Sequence, residues 1–282
     1  MYPSKPLIHG PNTFAKAELI NGIRHIRYPK LDGGFYEPVP LIQAAVVVFV
    51  VRHNDVPHVL LNTRANNMRR SAGMACFPGG RAEASDGNEL SRTAIREFLE
   101  ENAFNSNIEN KDILNEILPI REQFTGYGFV VQPYVSVLPQ DALRELRPNP
   151  AEVQDIYLVP LSEFRPQNAE KKVVMGGNEK VGAHKMPYMF FRFGNAISVA
   201  STSEGAFGQM VVKDKIWGTT AIIGAITHER LQHVLLDTSN QAVQRTYVND
   251  EALIADFRKA IKFPPPYWHF LETENHRVSR CK

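Results

Sequence analysis

The chain has 282 residues, 43% of them hydrophobic and 22% charged, an ordinary globular composition with material for one large core or two small ones. A net charge of +2 makes no strong basic or acidic field, so composition gives no ground for nucleic-acid binding. The longest apolar run, AAVVVFVV (44–51), is far too short to span a bilayer, and Cys76 and Cys281 form neither a metal-ligand spacing nor a disulfide framework.

Residues 1–40 are rich in Pro and Gly and show no period, so they read as an N-terminal extension. Its basic residues (Lys5, Lys16, Arg24, Arg27 and Lys30 against Glu18) give a faint transit-peptide bias, and no signal peptide opens the chain. Strands are expected at 44–52 and 58–64, joined by the turn residues HNDVP; the first is continuously apolar and β-branched, as for a strand buried on both faces. A loop, ANNMRRSAGMACFPGG, leads to a helix expected to begin near Asp86, with Asp86 as cap and Glu89 three residues on. Its apolar face is Leu90, Ala94, Ile95, Phe98 and Leu99, which leaves Arg96, Glu97, Glu100 and Glu101 on the polar side. Further strands are expected at 129–138, 155–161 and 185–193, and helices at 216–235 and 249–261. Strands and helices without regular alternation argue for an α+β or sandwich-like domain over 41–235, with 164–210 as an insertion and 236–282 as a helical extension packed on the same body.

Glu97, Glu100 and Glu101 stand at i, i+3 and i+4, a spacing at which like charges repel. A solvated surface tolerates that, and so does a divalent cation held by oxygen ligands. Mg²⁺ or Mn²⁺ suits carboxylates and water, and beside a phosphate it polarises phosphoryl oxygens and acidifies water. The Gly79-Gly80 turn allows close backbone approach, and Arg96 can orient a neighbouring carboxylate.

The stretch from Gly80 to Phe104 resembles the Nudix box, G-x5-E-x7-R-E-U-x-E-E-x-G-U. Here Asp86 stands for the first Glu, nine residues (87–95) replace seven, and Ala103 replaces the last Gly. Upstream, LLNTRANNMRRSAGMACFPGG (60–80) is similar to the signature of the coenzyme A diphosphatase branch of Nudix hydrolases, with Leu60, Leu61, Arg64, Ala65, Arg69, Gly73, Phe77, Pro78, Gly79 and Gly80 in place and Asn62 for Thr. The resemblance implies a mixed β-sheet in an α/β/α sandwich. It also implies Mg²⁺- or Mn²⁺-dependent cleavage of coenzyme A or acyl-CoA to 3′,5′-ADP and a 4′-phosphopantetheine product. Carried over residue by residue, it gives Glu97, Glu100 and Glu101 as metal ligands, with Glu97, Glu100 and Arg96 in the catalytic set. Arg64, Arg69, Arg70, Gly79 and Gly80 are the candidate substrate contacts, and Glu83, Asp86 and Glu152 are secondary acidic candidates. Two alternatives stay open: another dinucleotide substrate such as NADH or ADP-ribose, and a catalytically silent Nudix domain used for ligand sensing.

Other motifs give less. HERLQH (228–233) resembles the zinc-protease pair His-Glu-x-x-His, but a five-residue step turns about 140° on a helix, so His228 and His233 do not share a face. Cys76 has no His-Asp constellation to make it a nucleophile, and PPPYW (264–268) reads as a helix stop with Tyr267 and Trp268 against the core. Reduced thiols suggest an intracellular protein, and the ending SRCK does not fit the peroxisomal Ser-Lys-Leu address.

Overall fold

Alternation along one long strand organises the molecule. In β1 (Ile42–His53), Ala44, Val48 and Val50 face one hydrophobic cluster, while Ala45, Val47, Phe49 and Val51 face another. A strand with two apolar faces must be covered on both, which is why its sequence is continuous rather than alternating. The computed structural model describes residues 16–20, 23–27, 37–87, 89–103, 117–125, 128–178, 182–193, 196–202, 209–210, 216–235 and 249–262. The PPPYW segment, Cys281, the ending SRCK, Lys5 and Lys30 lie outside these.

A hairpin joins β1 to β2 (Val56–Arg64), and its loop is shorter than HNDVP suggests: only Asn54 and Asp55 turn, with φ of 47° and 64°. Positive φ at both positions is what a two-residue hairpin needs to match strand twist. On its other edge β1 pairs in parallel with β3 (Phe129–Val137), and β2 pairs antiparallel with β4 (Val153–Pro160). Gln209–Met210, Ala196–Ser201, β4, β2, β1, β3 and Ile117–Pro119 lie side by side in one mixed sheet. The 164–210 stretch therefore divides: Ala196–Ser201 and Gln209–Met210 extend the central sheet, whereas Glu170–Asn178 and Gly182–Phe191 form a separate sheet with Ile216–Trp217. Lys16–Ile20, Ile23–Arg27 and Val39–Pro40 form another small sheet.

Helix α1 (Leu90–Asn102) covers one face of the central sheet through Ala94, Ile95 and Phe98, and Phe98 meets Phe49 edge-on at 4.6 Å. Helices α2 (Gly218–Leu235) and α3 (Asp250–Lys262) contribute Ala221, Ile223, Leu231, Leu253 and Phe257 to the other face. The result is an α+β architecture, a mixed sheet between helical layers. Asp250 at the start of α3 receives Arg52 Nε at 2.9 Å and the backbone N–H of Gln140 at 2.8 Å, which fastens this C-terminal helix to β1 and the segment after β3. No helix among the described residues is long and apolar enough to cross a membrane.

Two sequence expectations are corrected. The long helix begins at Gly218, because Ile216–Trp217 is a strand paired with Phe190 and Phe191. Helix α1 begins at Leu90 rather than near Asp86. Asp86 instead closes a 3₁₀ turn, Ala84–Asp86, and Gly87 follows at φ 66°, a conformation glycine adopts without a Cβ penalty. Gly87 thus turns the chain after Asp86, before α1 begins.

Candidate functional site

The short strand Gly79–Arg81 lies against the N-terminal half of β1, with Val46 opposite Gly79 and Ala45 opposite Gly80. It brings the Pro-Gly-Gly turn beneath the last turns of α1. Gly79 has φ 148° and packs on the β1 backbone, so a Cβ there would overlap the Ala45 carbonyl and Val46 Cα. At Gly80 a Cβ would overlap the Glu97 carboxylate instead. Glycine at both positions lets a carboxylate and a bare backbone share one spot.

The four charged residues of α1 do not share one environment. Glu101 is 3% exposed, and its Oε2 accepts the Gly79 N–H at 3.0 Å and Asn62 Nδ2 at 3.3 Å. The Glu97 side chain is 14% exposed, and Glu100 is 54% exposed. Glu101 was expected on the polar side of the helix; the strand below α1 and the loop beyond it cover that end. The loop is pinned there by Arg147 N–H to Asn102 O at 2.7 Å and Asn149 N–H to Glu101 O at 2.9 Å.

That loop carries Glu152. Its carbonyl accepts the Ala65 N–H at 2.8 Å, which ties it to the end of β2. Glu97, Glu101 and Glu152 each offer a carboxylate oxygen, and these oxygens lie within 4.8 Å of one another. Glu100 stands outside this group and pairs with Arg96 Nη1 at 2.9 Å. The metal-ligand triple expected along the helix is thus split in space: Glu97 and Glu101 meet Glu152, a residue fifty positions further along that only the β2–β4 pairing and the loop bring in.

Arg96 holds the polar side of α1 together. Its Nε and Nη2 reach Asp86 at 2.9 and 3.1 Å, its Nη2 reaches the Arg81 carbonyl at 3.0 Å and Glu97 Oε1 at 3.1 Å. Asp86, nearly buried, also accepts Thr93 Oγ1 and the Glu83 N–H, each at 2.8 Å. The Arg96 hydrogen bond, with further bonds from Glu83 and Thr93, holds the Asp86 carboxyl well below the usual carboxylate range against the opposing effect of burial. Glu83 itself is exposed and stands outside the carboxylate group. Arg69 and Arg70 are exposed on the loop after β2, and Arg64, half-buried at the end of β2, is near enough to Glu101 to influence its charge. Burial and the Glu101 charge push the Cys76 thiol up to about 12, away from the thiolate that a nucleophile needs. His228 is buried on α2, and burial lowers it to about 4.

Burial and mutual repulsion both act against charge on the carboxylate group. Burial raises Glu97, and burial with repulsion from Glu97 and Glu152 pushes Glu101 up to about 8 despite the Gly79 N–H and Arg64. Mg²⁺ or Mn²⁺ fits this donor set: hard oxygen ligands in small number, at a spacing that binding at about 2.1 Å can draw together.

The mixed sheet between helical layers thus carries clustered carboxylates beside a glycine turn. The NUDIX domain profile matches residues 41–175, and the chain carries a Nudix domain. Among curated proteins, the peroxisomal coenzyme A diphosphatase ndx-8 of Caenorhabditis elegans is 35% identical over 120 residues, covering 42% of this chain and 49% of that protein. The Nudix hydrolase NudL of Pectobacterium atrosepticum is 35% identical over 136 residues, 46% of this chain and 66% of its own length. NudL of Photorhabdus laumondii is 35% identical over 119 residues, 42% of this chain and 59% of its own. The chain therefore spans about half to two thirds of the length of these relatives.

Two expected results arise directly from this geometry. Gly80→Ala meets only the tip of a side chain, so it should displace the Glu97 carboxylate and impair Mn²⁺ binding with a small change in melting temperature. Gly79→Ala meets backbone at a φ that disfavours any Cβ and should cost about 1–3 kcal/mol in urea unfolding. Equal effects of the two on stability would contradict the placement.

The second concerns pH. The folded Glu101 carboxyl titrates near 8, above its unfolded value, so the folded state holds an extra proton between those values and metal-free stability falls as pH rises through that window. Buried His58 and His228, lowered to about 4, act in the opposite sense, but only below about 6.5. Between about pH 6.5 and 8 the metal-free melting temperature should therefore decline, and Glu101→Gln should flatten that decline.

Proposed function

We propose that this chain is a divalent-cation-dependent diphosphatase and that coenzyme A or an acyl-CoA is its substrate. Water adds across the diphosphate, giving 3′,5′-ADP and 4′-phosphopantetheine or its acyl derivative. The observation that carries the proposal is spatial: the segment from Leu60 to Gly80, similar throughout to the coenzyme A diphosphatase signature, folds so that Gly79 and Gly80 touch Glu101 and Glu97, while Glu152 completes the carboxylate group.

Clustered carboxylates repel a diphosphate, so substrate and protein need a common positive partner. Glu97, Glu101 and Glu152 would hold Mg²⁺ or Mn²⁺, which would supply Lewis-acid polarisation of phosphoryl oxygens and activation of water. The protein's own groups do the rest. Glu97, kept at 3.1 Å from Arg96, is placed to accept a proton at Oε2 while Oε1 stays engaged. Gly80, having no Cβ, lets that carboxylate pack directly against the turn. Arg64, Arg69 and Arg70 offer planar, bidentate donors for phosphate oxygens on the substrate side. Glu100 acts at one remove, by sharing the Arg96 guanidinium.

A substrate panel tests the proposal: CoA, acyl-CoAs, NADH, ADP-ribose and diadenosine polyphosphates, each with Mg²⁺ and Mn²⁺. Release of 3′,5′-ADP from CoA species at the highest kcat/KM is expected, with EDTA abolishing turnover. Preferential cleavage of NADH or ADP-ribose would replace the CoA assignment, and no cleavage of any diphosphate would leave a ligand-sensing domain.

A further inference from the structure

Asn62 departs from the threonine of the signature, and it is buried with 0% exposure in β2, opposite Cys76 and Ile156. Its Nδ2 donates to Glu101 Oε2 at 3.3 Å, the same oxygen that accepts the Gly79 N–H at 3.0 Å. Its Oδ1 is buried and has no hydrogen-bond partner among the described residues. An unpaired buried acceptor is costly, and a residue selected for packing alone would carry no such atom. What the amide supplies in return is its N–H.

We propose that Asn62 is a positioning residue for the carboxylate group. With the Gly79 N–H it clamps Oε2 of Glu101, which fixes the rotation of the carboxylate and leaves Oε1 to a cation shared with Glu97 and Glu152. Threonine would offer one hydroxyl on a shorter stem, whereas the asparagine amide reaches one atom further. The inference rests on the assignment of Glu97, Glu101 and Glu152 as cation ligands. Partners that orient a ligating carboxylate from behind typically govern metal affinity by 10–100-fold.

The test is Mn²⁺ titration of the full chain, reading free Mn²⁺ by electron paramagnetic resonance, together with thermal melts. Asn62→Leu keeps the size and removes the donor. It should weaken Mn²⁺ binding by about 10–100-fold without a matching fall in metal-free melting temperature. Asn62→Thr, which restores a donor, should recover part of that loss. If the leucine variant does not fold, Asn62→Ala removes the same donor without apolar bulk and is read in the same titration. Mn²⁺ affinity within twofold of the parent in the donor-less variant would overturn the role of Asn62 while leaving the cation site intact. Failure of the parent chain to bind Mn²⁺ at all would overturn the cation site, and the role of Asn62 with it.

Discussion

Glu97→Gln should lower Mg²⁺-dependent diphosphate hydrolysis by roughly a thousandfold or more, with a melting temperature within a few degrees of the parent. Both halves come from where this carboxylate stands. It faces Gly80, it belongs with Glu101 and Glu152 in a group spanning 4.8 Å, and burial raises its pKa. Loss of one anionic ligand that also serves as proton acceptor removes several kcal/mol of transition-state stabilisation, and each 1.4 kcal/mol is about tenfold in rate. The fold should be largely indifferent. Glutamine keeps a side-chain oxygen for Arg96 and removes one member of a repelling group, and changes that neither open a cavity nor strand a buried charge usually stay near ±0.5 kcal/mol. Steady-state rates with a urea melt decide the matter. Near-parent activity, or a collapse of stability in step with activity, would contradict this placement of Glu97.

The largest effect on stability is expected at Asp86. It is 4% exposed, and its carboxylate takes two bonds from Arg96, one from Thr93 and one from the Glu83 backbone. Asp86→Ala opens an apolar gap, takes two bonds from the Arg96 guanidinium, which keeps Glu97, Glu100 and the Arg81 carbonyl, and leaves the Thr93 hydroxyl and the Glu83 N–H unpaired. Each buried donor left unpaired costs about 1–3 kcal/mol, which puts the loss at about 3 kcal/mol, a fall of roughly 10 °C for a protein of this size. In Asp86→Ala/Arg96→Leu both members of a directly bonded pair are removed, and the double variant should be more stable than the sum of the single losses. The pH sign is distinctive. Because the folded Asp86 pKa is depressed, its stabilisation is complete above the ordinary carboxylate range and is lost only as pH falls through the lowered value. Asp86→Ala should therefore show its full deficit at neutral pH and a smaller one in strong acid. A deficit under 1 kcal/mol at pH 7, read by urea unfolding, would sink the anchoring role.

These two residues also mark what the sequence could disclose. The i, i+4 pair Glu97 and Glu101 was legible because helical spacing is a local property, and the continuous apolar run of β1 announced a strand covered on both faces. The excess of residues between Asp86 and Arg96 was visible as a departure, but not its resolution: a 3₁₀ turn and a left-handed Gly87 absorb it, so Asp86 still reaches Arg96. Helix spacing grouped Glu100 with Glu97 and Glu101, and the family resemblance gave all three as ligands, but neither tells which acid an arginine four residues earlier will pair with. Glu152 could be named from sequence only as a minor acidic candidate. Its place beside Glu97 depends on the register of β2 against β4 and on the loop bond between Ala65 and Glu152, which are long-range features with no local signal. Asn62 stood out only as a mismatch to a pattern, because the donor–carboxylate contact that gives it meaning joins a strand to a helix. The strand Gly79–Arg81 was too short to show a period, yet it brings the glycines to the carboxylates.

Crystals of the protein grown with Mn²⁺, measured at the manganese absorption edge, would locate the cation. An anomalous peak within bonding distance of Glu97, Glu101 and Glu152, beside Gly80, is expected. Ordered Mn²⁺ bound elsewhere, or saturating Mn²⁺ with no peak among those three carboxylates, would contradict the cation-assisted chemistry assigned to this fold.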